Sequence, residues 1–361
     1  MMEATLDRLR SSGGLNTNDF DDFMKAGLVS ALLHDIGHGP FSHLSEKFLK
    51  FEHEDITTQI ILESHVGDIL QKDGVKPQRV VDILRHVSTG EDVLLSQLVS
   101  SQLDVDRLDY LARDAYFTGV GFGNIDLGRI IAMLRIYDGE GTLHGHALTL
   151  FKGRHSIEAY VLGRHLMYQS VYFHKAGRGA EKLIENAFRR AIETKSLPEK
   201  FSFLYERTPR VGDILGIDDH DVIVALRSWQ NSKDPILSDL SKRFFQRRLL
   251  KAIELTPKRL NEHLDRIAKF QGLAQRHNID SDYFCPIDGP SDTAYTPYKL
   301  RSPEDKRTGT TNIFVFDEDG KPCEISDISD VVKALSKTDY LNRLYVPDTF
   351  KEAAQTHLFK K

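Results

Sequence analysis

Apolar residues recur at helical spacing through most of the first half of the chain. Met1–Arg10 reads as a helix, Ser11–Asn18 as a polar turn, and Asp19 or Asp21 as the cap of the next helix. That helix carries Leu28, Val29, Ala31, Leu32 and Leu33, and Gly37, Gly39 and Pro40 close it. Leu44–Lys50 reads as a short helix, and Phe51–Asp55 leads into another through Ile56, Ile60 and Ile61. Leu94–Tyr116 is the longest helical pattern, with Leu95, Leu98, Val99, Leu108, Leu111, Ala112 and Ala115 on its apolar side. Gly119–Gly123 ends it. Ile130–Tyr137 and Thr142–Phe151 then read as two strands around Asp138–Gly141. Helical spacing returns through Arg164–Tyr172, Ala187–Ile192, Val222–Trp229 and Ser241–Lys251. Pro286–Thr310 reads as an extended connection. After it come a strand hairpin from Asn312 around Asp317–Gly320, a helix at Ser329–Leu335 and a strand at Arg343–Val346. The expected architecture is mainly α, with a small α+β subdomain at the C-terminal end.

Composition narrows the class. The 361 residues are 40% hydrophobic, enough for a substantial core. No run approaches the roughly 18 apolar residues of a membrane span, and no basic-then-apolar leader opens the chain, so a cytoplasmic location is expected. Cys285 and Cys323 are too few for a disulfide framework and lack metal-ligand spacing. A net charge of -5 disfavours a chain-wide nucleic-acid surface. The basic and aromatic stretch Ser241–Lys251 reads first as the solvated face of an amphipathic helix.

The chemistry concentrates where an adjacent His34–Asp35 pair follows the apolar helix. Imidazole and carboxylate together form a mixed ligand set for a divalent metal. An isolated pair is more ordinarily a charged helix end. Asp106, Tyr110 and Asp114 stand at i, i+4 and i+8, so they share one helical stripe that can line a cleft. Arg164, Tyr168 and Tyr172 repeat that spacing, with His174 and Lys175 just beyond. Taken alone, both stripes are also compatible with a solvent face. Gly119–Gly123 lacks the Lys-Ser/Thr ending of a phosphate-binding P-loop.

The run His34–His43, with Asp104–Asp114 and Tyr172–Lys175, resembles the HD-domain phosphohydrolases, most closely the deoxynucleoside triphosphate (dNTP) triphosphohydrolase branch. The resemblance implies a helical HD domain over residues 1–180, a helical extension over 181–285 and the small α+β subdomain over 286–361. It implies that His34, Asp35 and Asp106 hold a divalent ion: Mn, Fe, Mg, Zn or Ni. Glu46 and His53 would assist proton transfer, with His38 and His43 available for phosphate contact or acid duty. Tyr110 and Asp114 would contact the deoxyribose, and Arg107 the phosphate. Arg164, Tyr168, Tyr172, His174 and Lys175 would bind triphosphate and sugar. A nucleotide substrate, by resemblance a dNTP, and a homo-oligomer are the implied partners. The family's upstream Arg-x-x-His-Ser-x-Gly motif has no counterpart, because no histidine precedes His34. A reading frame that starts late is the expectation drawn from this. The rival readings are a phosphohydrolase of another nucleotide and a non-catalytic nucleotide-binding protein.

Overall fold

The computed structural model describes residues 1–13, 15, 19–255, 270–289, 291–292, 295, 312–336, 339–340 and 342–359. Helices dominate from the start: α1 (Met2–Ser11), α2 (Phe20–Leu33), α3 (His43–Leu49), α4 (His53–Glu63), α5 (His65–Lys72), α6 (Pro77–Leu84), α7 (Asp92–Val99) and α8 (Val105–Thr118). Asp19 caps α2, its carboxylate accepting from Asp22 N at 3.1 Å. After α9 (Leu127–Met133), strands β1 (Leu134–Ile136) and β2 (Ala147–Thr149) pair antiparallel, and α10 (Arg154–Met167) and α11 (Lys175–Glu193) follow.

Packing divides the chain into two units that alternate along the sequence. The first comprises Met1–Gly37, Thr57–Val171 and Asp292–Thr338. The second comprises His38–Ile56, Tyr172–Ser291 and Asp339–Lys361. Both units draw on the first and last of the linear segments expected above.

In the first unit Leu6, Leu9, Phe23, Ala26, Leu95 and Leu98 form a common core. Removing a side chain such as Phe23 from water contributes about 1.5–3 kcal/mol. Gly27 is the close-approach point: a methyl group there would lie 2.9 Å from Leu95 Cδ2 and 3.1 Å from Leu6 Cδ1. This seats α2 against α1 and α7. The buried face of α2 is therefore Phe23, Ala26, Gly27 and Ser30, whereas Leu32, in the expected apolar run, is 80% exposed. The unit also holds a four-stranded sheet in the order β1, β2, Phe314–Phe316, Pro322–Glu324.

In the second unit, Phe48 of α3 stacks on Phe188 of α11 at 4.2 Å, and Phe188 meets Phe201 and Trp229 edge-on. Those aromatic contacts fix α3. A three-stranded sheet places Arg343–Val346 between Lys251–Glu254 and Ile287–Asp288. Every residue of that central strand is buried.

The mainly α expectation holds, with four local corrections. The Leu94–Tyr116 pattern is two helices, because Asp104 accepts from Arg107 N at 2.7 Å and Ser101 N at 2.8 Å and so starts α8 afresh. Ile130–Met133 belongs to α9, and the strand begins only at Leu134. Ser241–Lys251 leaves the helix after Phe245 and enters a strand at Lys251. A π-helical turn over Tyr168–Tyr172 replaces the α register that an i, i+8 stripe requires. Most of Pro286–Thr310 and part of Ser11–Asn18 lie outside the described residues. Among the described residues no helix is long and apolar enough to cross a membrane.

Candidate active site

His34 sits at the C-cap of α2. Its Nδ1 lies 2.8 Å from the carbonyl oxygen of Ala31, one helical turn back. A carbonyl can only accept, so Nδ1 carries the proton and donates it, leaving Nε2 as the outward-facing donor atom. Nε2 is buried and makes no hydrogen bond of acceptable geometry. Facing it are Asp35 Oδ2 at 3.3 Å and Asp106 Oδ1 at 3.5 Å. Burial works against charge on this ring, but the Asp106 and Asp35 carboxylates outweigh it and hold the pKa up at about 10.

Two devices hold this corner. Thr57, on α4 and almost fully buried, accepts from Gly37 N at 3.0 Å and donates to His34 O at 3.3 Å, pinning the turn that follows α2. Asp104 caps α8 and orients its first turn, where Asp106 lies. Arg107 directs its guanidinium to Asp104 and to the carbonyl of Ser101. Burial pushes the Asp104 carboxyl up, against the opposing influence of Arg107. A cleft of about 360 Å³ opens beside His34 and Asp106, lined also by Leu28, Leu32, Val105 and Asp109.

The donors suit a divalent cation. Around an ion with ligands at about 2.0–2.2 Å, neighbouring donor atoms stand about 3.0–3.6 Å apart, which the two distances from Nε2 satisfy. One imidazole and two carboxylates form a hard to borderline set, compatible with Mn, Fe or Mg.

Farther along α8, the Tyr110 hydroxyl is 3.5 Å from that of Tyr168, and the Arg164 guanidinium carbon lies 5.2 Å from the centre of the Tyr168 ring. Burial and Tyr168 together push the Tyr110 phenol upward. Asp114 is half-buried one turn beyond Tyr110.

In the second unit three predicted histidines converge on one oxygen of a fourth predicted residue, Glu46. Glu46 Oε1 is 2.8 Å from His43 Nδ1, 3.1 Å from His53 Nδ1 and 3.7 Å from His38 Nδ1. The rings of His38 and His53 stack at 4.0 Å. His174 caps α11, its Nδ1 3.4 Å from Ala176 N; Lys175 is exposed and Tyr172 half-buried.

Comparison with known proteins gives the family. Residues 16–114 match the family described as HD domain, and residues 125–358 match the HD associated region. The chain is 33% identical to YwfO of Bacillus subtilis over 332 residues, covering 89% of this chain and 73% of that protein. The chain belongs to the HD-domain phosphohydrolase superfamily. It is 26% identical over 227 residues to the deoxynucleoside triphosphate triphosphohydrolase SAMHD1 homolog of Dictyostelium discoideum. That match covers 59% of this chain and only 40% of the relative's length. A solved phosphohydrolase from Bacteroides thetaiotaomicron superposes with a TM-score of 0.73 at 27% identity, covering 96% of this chain and 84% of that one.

Within this HD-domain protein, inspection of the sequence missed Thr57 and Asp104, which shape the corner without facing the cleft. Asp104 had a local signal, a cap-forming residue after Ser100 and Ser101. Thr57 had none, since its two partners lie on a different stretch of chain.

Proposed function

We propose that this HD-domain protein hydrolyses dNTPs to deoxynucleoside and inorganic triphosphate, with a divalent ion held by His34 Nε2, Asp35 and Asp106. The observation that carries the proposal is a buried imidazole nitrogen, fixed in tautomer by Ala31 and facing two carboxylates. When bound, the ion supplies Lewis acidity toward a phosphoryl oxygen. The remaining roles belong to the chain's own side chains. Glu46 accepts from the Nδ1–H groups of His43 and His53, so each ring presents Nε2 for proton exchange. In this reading His53 gives its proton to the departing 5'-oxygen, a task for which an imidazole is suited near neutral pH.

His38 and His43 contact phosphate. In this reading Arg164 and Lys175 add positive charge toward the triphosphate, and Tyr168, Tyr172 and His174 also bind triphosphate and sugar. Tyr110 and Asp114 contact the sugar, and Arg107 contributes by holding Asp104. The same reading places the protein in the cytoplasm as a homo-oligomer, which light scattering on the purified chain would check. The deciding experiment incubates metal-stripped and Mn-loaded protein with each dNTP and separates the products by ion chromatography. Inorganic triphosphate from the loaded form is expected. Orthophosphate, or no turnover by protein shown to carry metal, overturns the proposal.

A further inference from the structure

Three imidazole nitrogens around one carboxylate oxygen exceed what proton exchange needs, because a single orienting carboxylate per histidine suffices for that. The cluster is also held more firmly than a surface grouping. His43 and Glu46 ride on α3, which the stacked Phe48 and Phe188 rings fix to α11. The loop before α3 is strained, with Phe41 and Ser42 at φ of 56° and 53°, in the region that favours glycine. Phe41 N donates to Asp219 Oδ1 at 2.7 Å, holding that loop. Gly39 completes it: a methyl group there would come within 2.8 Å of Ser45 Oγ and 3.0 Å of the Phe51 ring.

We propose that His38, His43, Glu46 and His53 form a binding site for zinc, separate in its ligands from the His34, Asp35 and Asp106 set. One ligand atom from each of the four lies within 4.8 Å of all the others. The contacts of Glu46 Oε1, at 2.8, 3.1 and 3.7 Å, straddle the spacing of about 3.3 Å between donors of a tetrahedral zinc ion. Three imidazoles and one carboxylate form a softer set than one imidazole and two carboxylates, and they favour zinc over Mg or Mn. Small ring rotations bring the donors onto the ion as the protons between them and Glu46 leave. Entry is open through His43, whose side chain is 71% exposed. Zinc held here takes the Nδ1 atoms and breaks the Nδ1–H contacts to Glu46 that orient Nε2 for proton exchange, so it inhibits turnover; that consequence rests on the proposed function, whereas the binding does not.

The test uses the full chain, stripped of metal and carrying His34→Ala to disable the other ligand set, with Asp106→Ala as a second background should the first fold poorly. Cobalt(II) is titrated as the probe. Intense visible bands of tetrahedral cobalt are expected, displaced by one equivalent of zinc. His43→Ala, at an exposed position that leaves circular dichroism unchanged, should weaken zinc at least tenfold, and Glu46→Gln should abolish the bands. Weak octahedral-type absorption, or bands unchanged by His43→Ala, overturns the site. Triphosphate release from Mn-loaded protein without zinc is measured separately. Its absence beside intact cobalt bands overturns the proposed function alone, and its presence without the bands overturns the zinc site alone.

Discussion

Metal affinity at His34 should depend on pH more steeply than an ordinary histidine ligand allows. Nε2 binds either a proton or a cation, so apparent affinity scales as 1/(1 + 10^(pKa − pH)). With the ring held at about 10, the proton's competitive penalty falls from roughly 10⁴-fold at pH 6 to roughly 10²-fold at pH 8. The gain is about a hundredfold. An unperturbed imidazole of pKa about 6.5 would gain only about fourfold over the same interval. Mn binding measured by calorimetry at pH 6, 7 and 8, in buffers of differing ionisation enthalpy, reads both the slope and the release of about one proton per ion at pH 7. Asp106→Asn removes one of the two carboxylates that hold the proton, so it should weaken binding and flatten the slope together. A fourfold gain in the unaltered protein would refute the assignment of Nε2 as the contested donor. The proton also stabilises the metal-free fold. Because the folded pKa lies above the unfolded one, that contribution is full below pH 6.5 and is lost as pH rises through about 10.

Asp106→Ala should remove bound metal and turnover, whereas Lys242→Ala, on an exposed helical position, should change neither; elemental analysis beside product release decides. Asp104→Ala leaves Arg107 without its buried carboxylate and should cost about 3–5 kcal/mol in urea unfolding. Thr57→Val keeps the side-chain shape but strands Gly37 N, so a loss of about 1–3 kcal/mol with weaker Mn binding is expected. Glu46→Gln should lower turnover by about 10²–10⁴-fold in Mn-loaded protein with Mn content unchanged, as expected of a group that acts through histidines.

What short-range physics controls is legible along the chain. Capping chemistry and period predict α1, α2 and α3 to within a residue or two, and the hairpin at Phe314–Glu324, the helix at Asp330–Leu335 and the strand at Arg343–Val346 follow from turn residues and alternation. The His34–Asp35 pair at a helix end was legible for the same reason, since adjacent residues need no fold to bring them together. Tertiary structure alone decided the rest. Asp106 reaches His34 because Gly27 lets α2 close on α1 and α7, and because Asp104 restarts a helix that periodicity alone would have run straight through. Leu32 is exposed and Ser30 buried because the face of α2 was chosen by its neighbours, not by hydropathy. The convergence of His38, His43 and His53 on one oxygen of Glu46 depends on a strained loop and on the stacked Phe48 and Phe188 rings. Phe48 and Phe188 are remote in sequence, so no local pattern along the chain encodes their contact.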